Sequence, residues 1–104
     1  MTRLEQLRQF VADDPADPFN TYALALECLK TDVGEATTLF LGLLQTHPDY
    51  LPTYYQAAIL LASTGKPAEA LKIAEQGMAL AQAKNDLKAR RELQALYDDW
   101  TSED

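Results

Sequence analysis

The most informative stretch of this sequence is residues 51–74, which read LPTYYQAAILLASTGKPAEALKIA. Its first half places apolar side chains at helical spacing, namely Tyr54, Ala57, Ala58 and Leu61. Gly65 tolerates the left-handed backbone with which many helices end, and Pro67 suits the first position of a new helix, where its missing N–H costs nothing. The stretch therefore predicts two helices, one over about 51–64 and one from Pro67 to about Ala83.

The same start signals occur on the N-terminal side of this stretch. Asp17 followed by Pro18 predicts a helix from Pro18 to about Lys30, because the carboxylate can cap free amides and the proline suits the first turn. Asp32 with Glu35 three residues later resembles a capping box, which opens a third helix that ends at His47.

Two further helices flank these, one at each end of the chain. The first carries Leu4, Leu7 and Val11 on one stripe and stops at Asp13, and the last follows Asn85-Asp86 and ends near Trp100. No run of alternating apolar and polar residues predicts a strand. Short connections require successive helices to pack antiparallel, so the sequence predicts an all-α chain of six helices in hairpins.

A repeat underlies these hairpins. Pro15 and Pro48 lie 33 residues apart, each after one helix and before the next. The residues that carry the pattern are Ala36, Phe40 and Pro48 in the second half of one unit, and Tyr54, Ala58, Gly65 and Ala70, mainly in the first half of the other. This layout resembles the tetratricopeptide repeat, and it departs from the pattern at Thr21 and Ala74, where aromatics are expected, and at Gly77, where alanine is usual.

The resemblance implies a right-handed solenoid of about six antiparallel helices, with about two and a half repeats. It divides a single domain, residues 1–104, into an orphan helix (1–14), two repeats (17–48 and 51–83) and a C-terminal capping helix (86–100). Small residues at the helix crossings, such as Ala36 and Ala58, would allow neighbouring helices to approach closely.

Composition narrows the classes of partner. Sixteen acidic and nine basic side chains give a net charge of −7, which disfavours nucleic acid and anionic membranes as partners. A single cysteine, Cys28, excludes an intramolecular disulfide and fits a reducing compartment, and the charged N-terminus has no signal-peptide pattern. A cytoplasmic location is the resulting expectation.

The sequence shows no catalytic or metal-binding motif. His47 is the only histidine and is interpreted as a helix-end residue, and Cys28 lies in an apolar run where a thiol packs as a small core side chain. The four glycines are scattered and form no phosphate-binding loop. We therefore expect no cofactor, no metal and no enzymatic activity.

In tetratricopeptide arrays the first helix of each hairpin lines an inner groove. Carried to this chain, that geometry predicts a partner-binding groove lined by Tyr22, Leu26, Leu29, Tyr50, Tyr55, Ile59 and Ser63. The lysine and asparagine clamp that some members use for acidic C-terminal tails is missing, since Tyr22, Leu26 and Gln56 stand at the matching places. The expected function is a protein–protein interaction module, monomeric or weakly dimeric. The alternative is a self-associating scaffold whose groove is buried in a homodimer. Whether the groove is open, or is covered by the sixth helix or by a second copy, is left open by the sequence.

Overall fold

The protein is described here by a computed structural model, in which residues 1–102 are placed and form six α-helices and no strand. The helices are α1 (Arg3–Asp13), α2 (Pro18–Cys28), α3 (Val33–Thr46), α4 (Pro52–Ser63), α5 (Pro67–Ala83) and α6 (Leu87–Thr101). This confirms the all-α prediction and the helix count. The second helix ends at Cys28, two residues before the predicted Lys30, because Leu29 and Lys30 already close a turn.

Side-chain caps begin four of the helices, as the aspartates of the sequence predicted for three of them. Asp17, Asp32 and Asp86 accept backbone N–H bonds at the starts of α2, α3 and α6. The reciprocal capping box, however, lies at Thr2 and Glu5, where each side chain bonds the other's backbone N–H. At Asp32 only half of the predicted box forms, because the carboxylate of Glu35 is paired with Arg8 instead.

The chain divides into two compact units, Met1–Tyr50 and Leu51–Asp104. In the N-terminal unit, α2 packs against both α1 and α3. Its core combines small residues that let the helices approach with large ones that fill the space beside them, namely Ala25, Cys28 and Ala36 with Leu7, Leu24, Phe40 and Leu43. Phe40 is fully buried at the centre of this set.

In the C-terminal unit, α5 packs between α4 and α6. Gly65 follows α4 with φ 82°, the left-handed conformation that the sequence predicted for this stop. The buried small residues are Ala57, Ala58, Ala70, Ala74, Gly77 and Ala81, and they face the larger Tyr54, Leu61 and Leu93. Gly77, a departure from the family pattern, is the tightest point, because a Cβ there would lie 2.8 Å from Tyr54 Cβ and from Leu93 Cδ1.

Thr53 is the buried polar side chain of this core whose hydroxyl has no hydrogen-bond partner among residues 1–102. We expect Thr53→Val to raise the free energy of unfolding by about 1 kcal/mol, since valine keeps the shape and removes an unpaired polar atom. Chemical denaturation measures this. Thr38→Val is the matched control, because that hydroxyl is exposed and donates to the Gly34 carbonyl; a Thr53→Val variant less stable than the wild type would contradict the prediction.

Candidate interaction surfaces

Three of the predicted groove residues form one stripe along α2 and its C-terminal cap, Leu29. Tyr22, Leu26 and Leu29 recur at helical spacing, and each is half-buried. Another stripe of the same helix, Leu24, Ala25 and Cys28, is fully buried in the core. The helix thus has a side that is packed against α1 and α3 and a partly exposed apolar side.

Tyr50 joins this stripe through aromatic contacts. The ring of Tyr22 lies edge-on to Tyr50 with centroids 5.7 Å apart, and edge-on to the buried Phe40 at 5.8 Å. Burial raises the pKa of Tyr50, and the nearby Tyr22 and Asp17 raise it further, so the phenol stays neutral at physiological pH. We call Tyr22, Leu26, Leu29 and Tyr50 the α2 surface.

His47 joins the loop before α2 to the end of α3. It is the C-terminal cap of α3, as the sequence interpretation proposed, and its Nε2 lies 3.0 Å from the carbonyl oxygen of Ala16. Since that oxygen is an acceptor, Nε2 donates the proton. The ring therefore ties the end of α3 to the loop between α1 and α2, a contact across 31 residues of sequence.

Cys28 packs beside the ion pair that links α1 to α3. The guanidinium of Arg8 donates to both carboxylate oxygens of Glu35, at 2.6 and 2.8 Å. The Cys28 thiol is 1% exposed; burial raises its pKa, and the negative charge of Glu35 raises it further. The thiol therefore stays protonated and serves as a core side chain, the role that the sequence predicted.

The Arg8–Glu35 pair makes stability depend on pH in a predictable direction. Its hydrogen bonds lower the pKa of Glu35 from 4.5, so the stabilisation is present above that value and is lost as the pH falls through the folded-state pKa. We expect Glu35→Gln to be less stable than the wild type at pH 7, with the difference closing in the pH range below 4.5. Urea titrations across this range measure the gap; Arg8→Gln should behave alike, and a gap unchanged in acid would contradict the assignment.

The remaining predicted groove residues lie on α4. Tyr55 and Ile59 are half-buried and lie four residues apart, and Ser63, four further, is exposed. The Ser63 hydroxyl donates to the Leu60 carbonyl, so it is engaged within its own helix. The side chain of the adjacent Tyr54 is instead buried in the core. We call Tyr55, Ile59 and Ser63 the α4 surface.

Two further features of residues 1–102 bear on other classes of site. In this part of the chain no three or more histidine, cysteine, aspartate or glutamate side chains are grouped so as to hold a metal ion. Nor does any helix within these residues combine the length and apolar character that crossing a membrane requires.

Comparison with known proteins places the fold. No protein-family model matches the sequence, and no curated protein matches it. Among solved structures, MamA is 17% identical with a TM-score of 0.65, covering 93% of this chain and 64% of its own, which shows a shared fold.

Nearer in sequence is a tetratricopeptide repeat domain protein from Salinibacter ruber, known from a solution NMR structure. It is 36% identical with a TM-score of 0.81, covering 88% of this chain and 93% of its own. A crystal structure of a tetratricopeptide repeat domain protein from the same organism is 35% identical with a TM-score of 0.79, covering 85% and 99%. These likenesses confirm the helical-repeat solenoid class predicted from the sequence, and this chain belongs to the tetratricopeptide repeat family.

Proposed function

We propose that the chain is a non-catalytic module that holds a segment of another protein on the first helices of its hairpins, through the α2 surface and the α4 surface. Membership of the tetratricopeptide repeat family supports a protein-interaction module in general terms. The observation that carries the finer proposal is burial: none of the seven residues of these surfaces is buried, although the other sides of α2 and α4 are packed into cores.

The aromatic residues of these surfaces suit peptide recognition for a physical reason. A tyrosine offers a large, amphipathic contact area and has only two side-chain torsions to lose on binding. Tyr22 is already held between Phe40 and Tyr50, so ordering it further costs little. A binding energy concentrated in a few such anchors is the usual pattern at protein interfaces.

Loss of the α4 surface should abolish partner binding. We expect Tyr55→Ala combined with Ile59→Ala to lose partners that the wild type captures from native cell lysate, since both side chains are half-exposed and their removal leaves the buried stripe of α4 intact. Leu87→Ala, at a position 63% exposed on α6, is the matched control and should retain them. Quantitative mass spectrometry of the captured proteins measures recovery.

Two results would contradict the proposal. Equal recovery of every partner by wild type and the α4 variant would remove the surface assignment. Light scattering that finds a dimer, with Tyr22 and Tyr55 protected from solvent in it, would favour the self-associating scaffold instead. Circular dichroism of each variant establishes that it is folded before capture is compared.

A further inference from the structure

The N-terminal unit has a marked excess of negative charge. Residues 1–50 carry eight carboxylates and only three cations, Arg3, Arg8 and Lys30. Two of these cations already form ion pairs: Arg8 is paired with Glu35, and Lys30 with Glu27 at 3.1 Å. Arg3 is the first residue of α1, about 15 Å along the helix from the acidic end of that helix.

Four of the carboxylates lie on two segments that a hydrogen bond of His47 joins. Asp13, Asp14 and Asp17 belong to the end of α1 and the loop before α2, and Asp49 belongs to the loop after α3. His47, by its bond to Ala16, fastens these two loops together. None of the four makes an ion pair among residues 1–102.

Two of these carboxylates lie next to the aromatic surface, since Asp49 directly precedes Tyr50 in the chain and Asp17 begins α2, the helix that carries Tyr22. Asp17 is close enough to Tyr50 to contribute to raising the pKa of that phenol, and Tyr50 contacts Tyr22. Phe19, two residues after Asp17, is 60% exposed. Asp17 and Asp49 thus border the α2 surface, and Asp13 and Asp14 precede Asp17 on the same segment; we call Asp13, Asp14, Asp17 and Asp49 the acidic rim.

Part of this rim opposes the stability of the fold. Asp13 is the last residue of α1 and Asp14 is its C-terminal cap, and no basic residue occupies the last turn. Carboxylates at a helix C-terminus face the negative end of the helix dipole and are unfavourable there. Charges that cost stability where they stand are typical of residues retained for binding.

Resting on the proposed function, we infer that the α2 surface takes an extended segment of another protein in which arginine or lysine alternates with apolar residues. The apolar side chains lie on Tyr22, Leu26 and Tyr50, and the cations meet the acidic rim and the faces of the aromatic rings. An acidic segment would be repelled by the same rim, so charge complementarity selects the basic one.

The probe is a short fluorescein-labelled peptide that alternates arginine with leucine, with a second peptide carrying glutamate in place of arginine. Fluorescence anisotropy at low ionic strength should show the arginine peptide binding at least about tenfold more tightly, and added salt should reduce the difference. Asp14→Lys with Asp49→Lys should weaken its binding about tenfold, because opposite charges become like charges at the rim.

A matched control separates the rim from the overall charge. Asp98→Lys with Asp99→Lys changes the net charge by the same amount at exposed positions in the last turn of α6. It should leave peptide binding within about twofold. The Asp14→Lys change should also leave thermal stability equal or higher, because it places a cation at a helix C-terminus, so a loss of binding does not reflect unfolding.

Several outcomes would overturn the inference. If both charge-reversal pairs weaken binding of the arginine peptide equally, only the overall charge of the protein matters. If the two peptides bind with equal affinity, the surface does not discriminate between charges. The inference also fails if the mass of the wild type in solution rises with concentration while the variant Arg90→Glu with Arg91→Glu stays monomeric. A second copy of the chain would then be the occupant of the α2 surface. If the peptides do not discriminate while lysate capture still depends on Tyr55 and Ile59, the basic partner is rejected and the proposed function stands.

Discussion

Phe40→Ala is expected to lower the free energy of unfolding by about 3–5 kcal/mol, a large part of the total stability of a small domain. Phe40 is a fully buried residue of α3, and its ring packs edge-on against Tyr22 of α2, with the ring centroids 5.8 Å apart. Removing it leaves a cavity among side chains that cannot all close over it, because the small residues Ala25 and Ala36 already hold the helices near contact. Urea denaturation followed by circular dichroism measures the loss.

The control for this prediction is Phe19→Ala, which removes the same ring from a position that is 60% exposed. Its effect should stay within about 0.5 kcal/mol, as for surface substitutions generally. A Phe40→Ala loss below about 1 kcal/mol would contradict the packing of the N-terminal unit described above. Since Phe40 also backs Tyr22, the variant should bind partners less well even under conditions where it remains folded.

The second large effect is expected at Gly77, where an added methyl group should destabilise the C-terminal unit. The Cβ of Gly77→Ala would lie 2.8 Å from Tyr54 Cβ, an atom fixed to the α4 backbone, so α4 and α5 must move apart. Overpacking of this kind costs roughly 1–3 kcal/mol, which outweighs the gain of up to about 1 kcal/mol from replacing a helical glycine. Thermal denaturation should therefore show a lower Tm.

Gly42→Ala is the matched variant, because Gly42 also lies inside a helix but a Cβ there meets no atom within 4 Å. Here the gain in helix propensity is unopposed, and we expect a rise of about 0.5–1 kcal/mol. The two glycine variants should thus change stability in opposite directions. A Gly77→Ala protein as stable as Gly42→Ala would show that α4 and α5 tolerate more separation than the structure indicates.

Local chemistry explains which features could be predicted. The start signals at Asp17-Pro18 and the stop at Gly65 act over a few residues, so their outcome is fixed by nearby backbone geometry. Apolar spacing likewise assigned a buried stripe to each helix, including the fully buried Ala36 and Ala58. At Asp32 the predicted cap forms, but the reciprocal half of the capping box does not, because the Glu35 carboxylate is paired with the distant Arg8.

Contacts between helices could not be predicted from the same sequence. Nothing in the spacing pairs Arg8 with Glu35 or directs His47 to Ala16, since 27 and 31 residues separate these partners. The acidic rim was equally hidden: as sequence, Asp13-Asp14 reads as a solvated helix end, and it becomes part of a surface when His47 joins two loops beside Tyr50. One feature of the sequence pointed to this rim: two acidic residues end α1, at a position where a basic residue would stabilise the helix.

The sequence by itself determined that this chain is helical and where most of its helices start and stop, because these depend on interactions within about one helical turn. The 33-residue spacing of Pro15 and Pro48 indicated in addition that its hairpins belong to a repeat. Tertiary structure alone decided which side chains of α2 stay exposed, that Asp17 lies near Tyr50, and why Gly77 must remain small. Those outcomes depend on how neighbouring helices pack, and packing joins residues that the chain keeps far apart.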